Sequence, residues 1–179
     1  MKKLTISRCL ILTMAGMFLS SILWAQGDKS NRPSPPATAT GKVGGATITI
    51  NYSSPAVKGR KIWGELVPYD KVWRAGANEA TIFATDKDIM VEGKPLKAGK
   101  YSFYAIPGEK EWTFIFNSQT GQWGIKMDGS TTEDPAKDVL RVKVKPQKSK
   151  TMSERLAYTV DKNGFALVWE NVEVPVMVK

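Results

Sequence analysis

Ala46-Thr47-Ile48-Thr49-Ile50-Asn51-Tyr52 alternates apolar and polar residues along its length. Ile48, Ile50 and Tyr52 fall on one side, Thr47, Thr49 and Asn51 on the other. Successive side chains of a strand point to opposite faces, whereas a helix would repeat its apolar residues every three to four, so this stretch predicts a half-buried β-strand. The pattern recurs at 139–145, with Leu140, Val142 and Val144 expected inward and Arg141, Lys143 and Lys145 outward.

Working outward from these two segments, further strands are expected at 80–85, 88–91, 100–106 and 111–117, rich in β-branched and aromatic residues. Gly93-Lys94-Pro95-Leu96 and Ala98-Gly99 read as turns, and Pro107-Gly108-Glu109-Lys110 closes a hairpin. Strands at 154–160 and 164–170 flank Asn163-Gly164, a hairpin signal. A last strand at 172–178 contains Pro175, which suggests an edge position or a bulge. No segment carries a long helical stripe, and only short helical turns are expected, at 62–65, 69–73 and 134–138. About nine short strands separated by regular turns predict an all-β fold, an antiparallel β-sandwich or a jelly-roll-like barrel.

The N-terminal region has a different composition. Lys2, Lys3 and Arg8 precede an apolar run that ends near Trp24-Ala25. A basic start, an apolar stretch and a small residue predict a cleavable secretory signal over 1–25. The run is short for a membrane span, which needs about 20 apolar residues. Residues 26–41 hold Pro33, Pro35 and Pro36 among Gly, Ser, Thr and charge, which predicts a flexible leader before a single β domain at 42–179. The predicted location is therefore periplasmic or extracellular.

Processing after Ala25 would remove Cys9, the only cysteine, and three positive charges, taking the formal charge from +9 to +6. The chain contains no histidine. A domain without Cys or His cannot use a thiol nucleophile, a Ser-His-Asp triad or a zinc site built on those ligands. No cofactor or metal site is expected, and Asp128 with Asp134 falls short of the oxygen ligands calcium needs. Nucleic acid is not an expected partner, because no recognised module is present.

Residues 53–79 break the strand pattern. They join two strands, yet are far too long for a hairpin loop. Their two Trp, one Tyr and several aliphatic residues require them to pack on something, so a long ordered insert is expected. This stretch, together with Val91-Glu92-Gly93-Lys94, Ala98-Gly99-Lys100-Tyr101, Trp112-Thr113-Phe114-Ile115-Phe116-Asn117, Gln122-Trp123-Gly124 and Asp138-Val139-Leu140-Arg141-Val142, resembles the bacterial exported family catalogued as domain of unknown function 2911. The resemblance spans about residues 42–176 and is most specific from Lys58 to Thr81. It departs from the family pattern at 125–134, where Met127-Asp128-Gly129-Ser130-Thr131-Thr132 stands. The resemblance implies the β fold and export and assigns no catalytic residue.

Lys58, Arg60, Trp63, Tyr69, Trp73, Arg74, Asn78 and Glu79 form the candidate ligand site. Trp and Tyr faces stack on sugar rings or other flat groups, while Arg, Asn and Glu direct hydrogen bonds to a glycan or a small anionic ligand. The competing expectation is a plug, in which Trp63, Leu66 and Trp73 close the core, Arg74 pairs with Glu79 and Asn78 caps a turn. A carboxylate-dependent hydrolase would need two carboxyls about 5–9.5 Å apart, and Glu65, Asp70 and Glu79 are available for such a pair. A structural, envelope-assembly module without ligand is the third alternative. The basic stripe Arg141, Lys143, Lys145, Lys148 and Lys150 is expected to be a solvated face guarding a sheet edge.

Overall fold

The computed structural model describes residues 29–179; the predicted signal segment and the start of the leader lie outside the described residues. Ten strands run in chain order: β1 Pro36–Val43, β2 Ala46–Ser53, β3 Thr81–Thr85, β4 Ile89–Val91, β5 Lys94–Leu96, β6 Gly99–Ile106, β7 Trp112–Asn117, β8 Asp138–Val144, β9 Gln147–Asp161 and β10 Gly164–Met177. Six of them form one antiparallel sheet in the order β1-β2-β3-β6-β7-β8. The long hairpin β9-β10 makes the second layer, and β4-β5 is a small separate hairpin. This is a sandwich-like arrangement and not a closed barrel, so the jelly-roll alternative is set aside.

Alternation in sequence becomes the core between the layers. Ile50 lies opposite Phe83, Phe83 opposite Tyr101, Phe103 opposite Phe116, and Phe116 opposite Leu140. This inner face meets Leu156, Tyr158, Phe165, Leu167, Trp169, Val174 and Val176 from β9 and β10. Phe83, Phe103, Phe114, Leu156 and Leu167 have no solvent exposure. Ring pairs such as Phe83–Phe116 at 5.0 Å and 89° adopt the edge-to-face geometry that the aromatic quadrupole favours. Leu140, Val142 and Val144 point in as expected, and Arg141 and Lys143 point out.

Four local expectations are corrected. The leader does not extend to residue 41, because Pro36–Val43 pairs residue for residue with β2. Its inward residues are Ala37, Ala39 and Gly41, too small to register as an apolar pattern; a Cβ at Gly41 would come within 2.9 Å of Val160, so β1 lies close on β9. Lys94–Leu96 is a strand, and the turn lies at Glu92-Gly93. The segments 164–170 and 172–178 belong to one strand with register shifts on both sides of Glu170, whose φ is 55°. Of the three helical turns, only a 3-10 turn at Pro135–Lys137 forms among the described residues.

The insert at 53–79 is ordered and spans both layers. Val57 N–H donates to the Glu154 carbonyl and Leu156 N–H to the Pro55 carbonyl, so its start runs beside β9. Its later part reaches β6, where Trp73 and Ala105 exchange backbone hydrogen bonds at 2.7 and 2.8 Å. There it takes the place beside β6 that β3 vacates beyond Thr81. Between these two attachments Ile62, Trp63 and Val67 enter the main core.

Candidate functional site

Trp63 is the centre of a four-tryptophan cluster. Its ring lies 6.0 Å from Trp73, 4.9 Å from Trp112 and 5.7 Å from Trp169, all edge-to-face. Trp73 stacks on Trp169 at 6.1 Å and 18°. The plug expectation therefore holds for Trp63, which is buried. It does not describe the whole segment, because the outward side of the same stretch walls a cavity of about 820 Å³. Trp73, Trp169, Val67, Leu66 and Pro55 supply much of its apolar surface, and Arg60, Lys71 and Arg74 bring positive charge.

A second wall comes from the loop between β7 and β8, through Gly124, Ile125 and residues 128–131. Gly124 allows this approach. It sits at φ 91°, and a Cβ there would lie 2.6 Å from the Cβ of Arg74. The loop is held by Gly124 N–H donating to the Thr132 hydroxyl and by Lys126 N–H donating to the Ser130 carbonyl. Behind it, the Arg141 guanidinium donates to Glu133 at 2.9 Å and also pairs with Asp138 at 2.6 Å.

The structure brings three of the eight sequence-selected residues to the cavity: Arg60, Trp73 and Arg74. The Arg60 guanidinium donates to the Val57 and Ala56 carbonyls. Trp73 Nε1 donates to the Gly76 carbonyl. Nη1 of the Arg74 guanidinium is buried without a hydrogen-bond partner among the described residues. Burial pushes the Arg74 pKa down, and the charge of Glu79 nearby pulls it back up. The other five lie elsewhere. Lys58 is exposed, at φ 48°, with its backbone N–H on Glu154. Tyr69 packs half-buried against Gly64 and the core. Asn78 donates to the Ser34 carbonyl, and Glu79 accepts two hydrogen bonds from Arg32 at 3.0 and 2.9 Å. These last two residues tie down the stretch just before β1, and Glu79 also acts electrostatically on Arg74.

The three carboxylates considered for hydrolysis are dispersed. Glu65 pairs with Lys61 and Glu79 with Arg32, leaving Asp70 alone of the three on the cavity wall. Asp128 joins it there, but Ser130 donates to its carboxylate through both backbone N–H and hydroxyl, holding its pKa below the usual range. An acid held ionised in this way is a poor proton donor.

A profile for a protein family of unknown function, DUF2911, matches residues 34–178. This chain belongs to that family. No curated protein and no solved structure matches it. The DUF2911 match begins two residues before β1, in agreement with the strand that composition had assigned to a leader. The loop at 124–131 is the part of the cavity that sequence reasoning missed. Its signal was the unusual run of apolar Trp123, Ile125 and Met127 between polar neighbours, all three exposed.

Proposed function

We propose that this domain binds a small ligand, a glycan fragment or a small anionic molecule, in the cavity between the 53–79 insert and the 124–131 loop. The observation that carries the reading is the cavity itself. Its volume of about 820 Å³ lies inside the range of about 300–1,000 Å³ typical of small-molecule sites. Its wall combines stacked tryptophans with a few cationic side chains, the composition such sites use for binding and orientation. Trp73 and Arg74 are adjacent in sequence and both line the cavity, so one stretch of chain contributes an aromatic wall and a charge.

The reading includes export. Its support is the basic start and apolar run of residues 1–25, and it puts the binding domain in the periplasm or outside the cell.

Thermal denaturation against a panel of glycan fragments, organic acids and neutral metabolites tests the binding function. A true ligand at 100 times its Kd stabilises the folded state by about 2.7 kcal/mol, which raises Tm by about 5 °C or more. Ala77→Trp, which fills the cavity from its wall, is expected to remain folded and to lose that rise. Failure of every compound in the panel to raise Tm would leave the insert as a structural plug.

A further inference from the structure

We propose that the ligand carries a single acid group on an apolar, ring-bearing body, and that Arg74 receives the acid; this rests on the cavity being a binding site. Buried N–H groups are nearly always hydrogen-bonded, and a buried cation left alone is costly. Arg74 lines the cavity, half-buried, and its Nη1 is closed off from solvent without a hydrogen-bond partner. Trp169, on the same wall, has its Nε1 buried without an acceptor as well. Arg60, Lys71 and Arg74 give the wall cationic donors that an acceptor group on a ligand can meet. A carboxylate or sulfonate is acceptor-only, whereas a sugar brings as many donors as acceptors.

The charge balance points the same way. Arg60 donates to two neutral carbonyls, which leave its positive charge uncancelled. Three cations line the cavity, Arg60, Lys71 and Arg74, against two carboxylates, Asp70 and Asp128, which leaves an excess of positive charge. A guanidinium presents its N–H groups in a planar fork that matches a carboxylate in two-point contact. The remainder of the ligand meets Trp73, Val67, Leu66 and Pro55, surfaces that favour a flat or aliphatic body over a hydroxylated one.

A matched pair of fluorescent probes tests this. Anilinonaphthalene sulfonate carries the acid, and N-phenylnaphthylamine is the same ring system without it. Binding of each to the full folded chain is titrated by fluorescence, with circular dichroism confirming the fold. The expected result is a sulfonate affinity at least about tenfold above that of the neutral probe, the worth of one or more charge-assisted hydrogen bonds. Arg74→Met keeps the apolar stem against Gly124 and is expected to erase that preference while the neutral probe still binds; Arg74→Lys is expected to retain part of it. Ala77→Trp should abolish binding of both probes.

Equal affinity of the two probes for the wild-type protein overturns the acid assignment and needs no variant to fold. A preference that survives Arg74→Met overturns the role of Arg74. Loss of both probes in Ala77→Trp alongside equal wild-type affinities defeats the acid assignment alone and leaves the site standing. Binding that is unchanged in Ala77→Trp, or no binding of either probe, defeats the cavity reading and this inference together.

Discussion

At the scale of single residues, local freedom and buried contacts decide where the chain can pass. Asn163-Gly164 marks a turn in the sequence, but neither Lys162 nor Asn163 has positive φ, so the turn is not of the type that this pair usually signals. Gly164 matters for a different reason. Its φ is 147°, and a Cβ would come within 2.0 Å of the Val176 carbonyl oxygen. Gly164→Ala is expected to push β10 away from its own later part and destabilise the fold by about 1–3 kcal/mol or more, measured by urea denaturation. Ala75 shows the same dependence on tertiary contacts. It sits at φ 53°, and its carbonyl accepts from both the Thr81 and Tyr158 hydroxyls. The aromatic content of the insert was readable from Trp63 and Trp73, but the clamp on Ala75 was not, because Tyr158 lies 83 positions away.

At the scale of elements, the loop before β8 behaves as a latched wall. Glu133 is its buried anchor, with a side chain 2% exposed. Burial, then the adjacent charge of Asp138, pushes the Glu133 carboxyl from an ordinary 4.5 up to about 7, while Arg141 pulls in the opposite direction. Between those two values the folded state holds a proton that the unfolded chain has released. This group's contribution to stability is therefore full below about pH 4.5 and is lost as pH rises through about 7. The expected outcome is a Tm that falls by a few degrees from about pH 5 to about pH 8, with a shallower fall in Glu133→Gln, which keeps the uncharged form at every pH. A wild-type profile parallel to that of Glu133→Gln would show that Glu133 does not titrate in this window. Nothing in the local sequence singles out Glu133, since its burial depends on the outer face of the sheet, where Tyr104 and Ile115 are also covered.

At the scale of the whole molecule, the two layers and the insert form one compact unit over Arg32–Lys179. Its lower boundary is set by three contacts: Arg32 to Glu79, Asn78 to the Ser34 carbonyl, and Ser54 N–H to the Pro35 carbonyl. A chain beginning at Arg32 is expected to unfold cooperatively. One beginning at Pro36 is expected to lose about 1–3 kcal/mol, because the partners of these contacts are left without acceptor or charge. Equal denaturation midpoints for the two chains would show that the stretch before β1 contributes nothing. The edge strands are β1 and β8, and on β8 Arg141 and Lys143 are neutralised by Glu133, Asp138 and Glu111. Two of the five basic residues of the stripe, Arg141 and Lys143, thus have counter-ions.

The class of fold was legible in the sequence, because period-two alternation with inward Ile, Phe and Val favours a sheet buried on one face. The sequence by itself also determined that 53–79 is ordered, since two tryptophans and several aliphatic residues must leave water. It excluded histidine chemistry outright. What only the tertiary structure decided was which of those residues share a surface. Trp63 goes into the core while Arg60, Trp73 and Arg74 line a cavity, and Asn78 and Glu79 fasten the chain before β1. The physical reason is that the insert forms its hydrogen bonds with β9 and β6, distant in sequence, and those attachments set which way each side chain faces. The opposite wall comes from a loop at 124–131, brought there by the close approach of Gly124 to Arg74.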